Sequence, residues 1–116
     1  MADGPLVLVC GSRDWTDRGA ILDALLTRAP REVIHGAAPG ADRIAADIAR
    51  LYLISARAFP AAWDRYGRRA GILRNLAMLD ERPGLVLAFQ RGGSRGTQHT
   101  IDEARRRGIL VEVHAA

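Results

Sequence analysis

The feature that most constrains this chain is a regular alternation of short apolar runs with segments of helical period. The runs Pro5–Cys10, Arg31–His35, Ser55–Phe59, Gly84–Phe89 and Ile109–Val113 read as strands. The first is β-branched and apolar on both faces, as a strand buried within a parallel sheet must be. Between them, Arg18–Ala29, Asp42–Leu53, Arg68–Leu79 and Thr97–Arg107 read as helices. Their apolar stripes are Ile21, Leu22, Leu25, Leu26 and Ala29 in the first, Ile44, Ile48, Leu51 and Tyr52 in the second, and Ile72, Leu73, Leu76, Ala77 and Leu79 in the third. Pro60, Pro83-Gly84 and Gly108 supply stop signals. The order β-α-β-α-β-α-β-α-β predicts an α/β fold, a single Rossmann-like three-layer domain over residues 1–116. Its five-stranded, mostly parallel sheet carries helices on both faces. Right-handed crossovers leave few topologies, and the expected strand order is 3-2-1-4-5, with the switch point between strands one and four. The longest irregular stretch, Pro60–Gly67, is a candidate functional loop.

Composition removes several chemistries. All 17 basic residues are Arg, set against 13 acids, for a net charge of +4. Without Lys there is no Walker-A lysine, no Schiff base and no lysine general base. A single cysteine, Cys10, excludes an internal disulfide and a multi-cysteine zinc site. The three histidines lack metal-ligand spacing, so no metal is expected and no cofactor is required. Nothing resembles a signal core or a membrane span, which gives a cytoplasmic expectation with no membrane partner.

Three loops would lie at the carboxyl ends of parallel strands, where open α/β sheets bind ligands. They are Gly11-Ser-Arg-Asp-Trp-Thr-Asp17, Gly36-Ala-Ala-Pro-Gly-Ala-Asp42 and Arg91-Gly-Gly-Ser-Arg-Gly-Thr97. Any one reads either as a tight turn or as an anion cradle, in which glycine lets backbone N–H groups approach and the following helix offers its positive end. Three on one edge favour an anionic ligand, with Arg as a bidentate fork for phosphate. The candidate ligand-binding residues are Gly11, Ser12, Arg13 and Trp15 in the first loop; Gly36, Gly40, Ala41 and Asp42 in the second; and Gly92, Gly93, Ser94, Arg95, Gly96 and Thr97 in the third. None of the loops is G-x-G-x-x-G, so a dehydrogenase reading loses its support.

Trp63, Tyr66, Arg74 and Asn75 complete the candidate set. Trp63 and Tyr66 read as stacking on a base, or Trp63 alone as filling the sheet edge. Arg65, Arg68, Arg69 and Arg74 either hold phosphates or coat a solvated helix face. Arg74 beside an apolar stripe also reads as a snorkelling side chain. His35 reads as a satisfied residue at the core edge, His99 as a possible anion contact and His114 as a tail residue. Arg105-Arg-Arg107 reads as a helix-end cap complementing the macrodipole.

At these positions the chain resembles the YspA-like group of the SLOG superfamily, related to DprA and LOG proteins. The likeness runs from Leu6 to Val113. It rests on Gly11-Ser-Arg13, Ile34-His-Gly36 with Gly40-Ala-Asp42, Trp63-Asp-x-Tyr-Gly67, Ala70-Gly71, Arg74-Asn-x-x-Met78, and Ser94-Arg-Gly-Thr97 with His99 and Ile101. The resemblance implies a Rossmann-like domain that binds a nucleotide-derived ligand of the NAD, ADP-ribose or mononucleotide kind. Domains of this type are read as sensors or processors, often in prokaryotic or phage settings. LOG-like phosphoribohydrolases follow a Gly-Gly-x-Gly-Thr loop with a catalytic carboxylate. Here the loop has one residue more, and Gln98-His99-Thr100 follows it. Glu103 lies about 240° around the helix from Thr97. Asp42 is therefore the best candidate for a catalytic acid, and it reads equally as an N-cap or as a ribose-hydroxyl acceptor.

The leading expectation is a non-catalytic module that senses or sequesters such a ligand. An N-glycosidase acting on nucleoside 5′-monophosphates is the alternative, and nucleic-acid binding a second, weakened by the dispersal of the arginines. A homodimer or higher homo-oligomer is expected through an exposed helix face that the sequence does not identify.

Overall fold

In a computed structural model, which describes residues 4–116, the chain forms five strands and five helices. The strands are β1 (Leu6–Gly11), β2 (Glu32–His35), β3 (Ser55–Ala58), β4 (Leu85–Gln90) and β5 (Val111–Ala115). The helices are α1 (Arg18–Arg28), α2 (Ala41–Leu51), α3 (Trp63–Tyr66), α4 (Ala70–Asp80) and α5 (Arg95–Arg106). A 3-10 turn, Gly67–Arg69, joins α3 to α4. All neighbouring strands pair in parallel, in the order β3-β2-β1-β4-β5. The fold is the expected one, and β1 and β4 flank the switch point. No helix among the described residues is long and apolar enough to cross a membrane.

The alternation of β1 divides the core in two. Val7 and Val9 face α1 and α2, packing with Ile21, Leu25 and Ile48. Leu6, Leu8 and Cys10 face α4 and α5, packing with Met78, Leu79, Ile101 and Ala104. Both faces of the central strands are dry, which is why they read as continuous apolar runs rather than as alternating ones.

Several local expectations change, among them the α1 stripe, where Leu26 and Ala29 are exposed. The Pro60–Gly67 stretch contains the short helix α3 rather than being wholly irregular. His114 is not a tail residue: it lies in β5, stacks on Phe89 at 4.9 Å and meets Glu112 at 2.8 Å. In α2 the buried side is Ala41, Asp42, Ala45, Ile48 and Ala49, whereas Leu51 and Tyr52 are exposed. The largest difference is α4. Its buried residues are Ala70, Asn75, Met78 and Leu79, while Ile72 and Leu73 are exposed. The helix is turned so that Arg74 reaches carbonyl oxygens left open at the ends of β2 and β3, Gly36 at 2.6 Å and Phe59 at 3.4 Å. The inward face buries Met78 and Leu79 and at the same time supplies donors to these part-buried acceptors.

Candidate functional site

The three loops meet at the carboxyl ends of β1, β2 and β4, and Ser12 joins them. Its N–H donates to Phe89 O at 2.9 Å. Its hydroxyl accepts from the Arg91 N–H at 2.7 Å and donates to Arg91 O at 3.2 Å. Its carbonyl accepts from Ala41 N–H at 3.3 Å, which ties the second loop to the first. That approach requires glycine at position 40. Gly40 has φ +79, and a Cβ there would overlap the Ser12 carbonyl oxygen. Ser12 is only 2% exposed, and its hydroxyl is engaged by protein, so its part in the site is to hold the loops in register.

Asp42 lies at the floor of the site. Its Oδ2 accepts from Gly36 N–H at 3.0 Å and Ala38 N–H at 3.3 Å, holding the second loop closed from within α2. The N-cap position of α2 is Gly40, so Asp42 does not act as a cap. Its Oδ1 is buried and has no hydrogen-bond partner. Burial pushes its carboxyl up to about 6, against the opposing pull of the Ala38 and Gly36 N–H groups and the guanidinium groups of Arg74 and Arg13. Arg74 completes the floor. Its Nη1 bonds Gly36 O and Phe59 O, and its Nε donates to Asn75 Oδ1 at 2.8 Å. Burial draws the Arg74 guanidinium below its ordinary value, with Asp42 opposing that shift. Cys10, also on the floor, has its thiol pushed well up by burial and by the neighbouring Asp42 charge. His35 is a satisfied residue at the core edge, accepting from Ala37 N–H through Nδ1 at 3.1 Å, and burial lowers its pKa.

Over this floor lies an open cleft of about 530 Å³, within the range of small-molecule sites. Of the expected residues it is lined by Gly11, Ser12, Arg13, Asp42, Trp63, Arg74 and Asn75, and by Gly93, Ser94, Gly96 and Thr97 of the third loop. Ser94 caps α5, its Oγ accepting from Thr97 N–H at 3.4 Å. The positive end of that twelve-residue helix borders the cleft.

The other expected residues lie outside the lining. Trp15 is in the core, edge-on to Phe89 at 5.5 Å, with Nε1 donating to Asp17 O at 2.8 Å. Gly36, Gly40 and Ala41 shape the second loop through backbone alone. Tyr66 turns away and carries the Arg65 guanidinium over its ring at 5.2 Å. Gly92 and Arg95 are exposed beyond the rim.

Arg68, already a phosphate candidate, lines the cleft too, as do Asp14, Gly71, Ile72, Met78 and Arg91. Helical period would have found most of them: positions 68, 71, 74, 75 and 78 share one face. Gly71 is where the Trp63 indole rests, since a Cβ there would come within 3.2 Å of Trp63 Cη2. Arg91 follows directly on β4 and so lands at the switch point.

No ion-paired arginine lines the cleft, and seven further arginines neither line it nor pair among the described residues. Arg18, Arg28, Arg50, Arg57, Arg106 and Arg107 are all ion-paired to carboxylates away from the cleft. Among the described residues, none of the four cleft arginines, Arg13, Arg68, Arg74 and Arg91, makes an ion pair.

The YspA, cpYpsA-related SLOG family matches residues 5–66, a stretch that carries the first two loops and α3. The chain is also similar to the Gene 61 protein of Mycobacterium phage D29. The two are 40% identical over 115 residues, covering 90% of this chain and 92% of the phage protein. No solved structure matches the chain significantly.

Proposed function

The chain belongs to the YspA, cpYpsA-related SLOG family, and on that premise we propose that it binds a nucleotide-derived ligand in the cleft above β1 and β4, as a sensing or sequestering module. The observation that carries this reading is the convergence on one cleft of four arginines that make no ion pair among the described residues, against two carboxylates, Asp14 and Asp42, while the six ion-paired arginines lie elsewhere. Four guanidinium groups against two carboxylates leave the cleft with an excess of positive charge, and an anion bound among them offsets it. Arg13, Arg68 and Arg91 hold phosphate together with the N-terminal end of α5. Arg74, anchored to Gly36 O through Nη1, keeps Nη2 for the same purpose. Asp42 Oδ1 accepts a ribose hydroxyl, which supplies the partner it lacks. Trp63, half-exposed on the cleft wall, stacks on the base.

A thermal-shift panel of mononucleotides, NAD and ADP-ribose tests this. Saturating ligand raises the transition, by about 2.7 kcal/mol of stability at a hundredfold excess over Kd. No shift with any member of the panel, in folded protein, refutes the reading. Ligands lacking the ribose hydroxyls should bind less tightly.

One observation favours a second reading, cleavage of the N-glycosidic bond of that ligand. The Asp42 carboxyl, near 6 and free at Oδ1, is suited to exchange a proton at neutral pH. Free base detected by chromatography, and lost in Asp42→Asn, would support hydrolysis; intact ligand after prolonged incubation leaves binding alone.

A further inference from the structure

We propose that α4 is the contact face between two copies of this chain, packed antiparallel on itself about a two-fold axis. The outward faces of α2 and α5 carry charge, with Arg43, Asp47 and Arg50 on one and Asp102, Arg105 and Arg106 on the other. The outward face of α4 does not. Ile72 is 46% and Leu73 37% exposed, Ala77 is exposed and Leu76 is partly so, and Asp80 is the one exposed charge within the helix. Arg69 stands exposed just before it. At 100° per residue, Arg69, Ile72, Leu73, Leu76 and Asp80 fall within an arc of about 100°, with Ala77 at its margin. A stripe of this kind, uncharged between its ends, is a surface that a partner helix can cover.

The order of residues along the stripe identifies the occupant. Reflected about the point midway between Arg74 and Asn75, Arg69 falls on Asp80, Ile72 on Ala77 and Leu73 on Leu76. A second α4 running antiparallel therefore sets a base opposite an acid at both ends and apolar side chains opposite each other between them. That is the self-complementarity an isologous interface requires. The small Ala77 opposite Ile72 lets the helices approach closely. Among the described residues Arg69 makes no ion pair, and the Asp80 side chain remains 69% exposed beside Arg107, so both are available to a second copy. An unrelated protein would have no reason to match this pattern, whereas a second copy does so by construction. Ile72 belongs both to the stripe and to the cleft wall, so the interface borders the ligand site.

Sedimentation of the full chain across the micromolar range tests the proposal. The parent protein should be a dimer, and Leu73→Arg should weaken it about tenfold or more, with unchanged far-UV circular dichroism. Arg69→Asp alone and Asp80→Arg alone should each weaken the dimer, because like charges then meet at both ends of the stripe. The double variant should restore it. These charge variants lie on the surface and keep the test open should Leu73→Arg fail to fold. A parent chain that remains monomeric, leaving the stripe to some other partner, overturns the proposal. So does a dimer indifferent to Leu73→Arg in folded protein, or one weakened by each charge variant and not restored by the pair.

Discussion

Replacing Asp42 by Asn should stabilise the protein while weakening its hold on ligand. Burial with Oδ1 unpartnered moves this carboxyl from 3.8 to about 6. The folded state therefore holds the proton more tightly than the unfolded chain, and stability falls as pH rises through that window. Integrated to neutral pH, the shift amounts to about 3 kcal/mol of destabilisation. An Asn side chain accepts the Gly36 and Ala38 N–H groups through its carbonyl and never ionises, so the variant escapes this cost. Urea unfolding at about pH 7.5 should place Asp42→Asn above the parent by up to about 3 kcal/mol. Because the parent is mostly protonated at about pH 5, the gap should shrink there by about half. Ligand affinity at neutral pH should fall, since an amide N–H at the Oδ1 position cannot accept a hydroxyl proton. A variant less stable than the parent by the same amount at both pH values would refute the reasoning. It would mean that Arg74 and Arg13 stabilise the carboxylate by more than burial destabilises it.

Arg13→Ala should weaken ligand binding by about tenfold or more without moving the unfolding midpoint, whereas Arg106→Ala, far from the cleft, should change neither; calorimetric titration and urea unfolding separate the two. Trp63→Ala should reduce affinity for base-bearing ligands more than Tyr66→Ala does, and equal losses would remove Trp63 from the base site. Gly40→Ala should cost about 1–3 kcal/mol of stability, because the alanine must adopt a positive φ against the Ser12 carbonyl. Cys10, buried and with its thiol raised, should resist thiol reagents at about pH 8 until the protein unfolds, and rapid labelling of the native state would contradict its placement.

The arginines illustrate how far the sequence could be read. Arg13 is legible as a cleft residue because it lies in the loop immediately after β1, and chain order alone carries it to the switch point. Arg95 and Arg91 bracket the same glycine-rich loop, yet only Arg91 lines the cleft. Which of the two faces inward depends on the Ser12 hydroxyl gripping the Arg91 backbone, a contact across 79 residues. Trp15 and Trp63 were both open to a ligand role. The core claims Trp15 through Phe89, and Gly71 provides the resting place for Trp63.

The sequence by itself determined the strand order, the edge of the sheet where the cleft opens and the residue types gathered there. Periodicity, loop chemistry and the handedness of crossovers are local or topological properties that chain order carries directly. Only the tertiary structure decided the rotation of α4, the unpartnered oxygen of Asp42 and the separation of paired from unpaired arginines. Each depends on which groups meet across distant elements. In α4 the apolar pattern did not settle the rotation: Arg74 meets the carbonyls of Gly36 and Phe59 beside the buried Met78 and Leu79, and Ile72 and Leu73 face the surface.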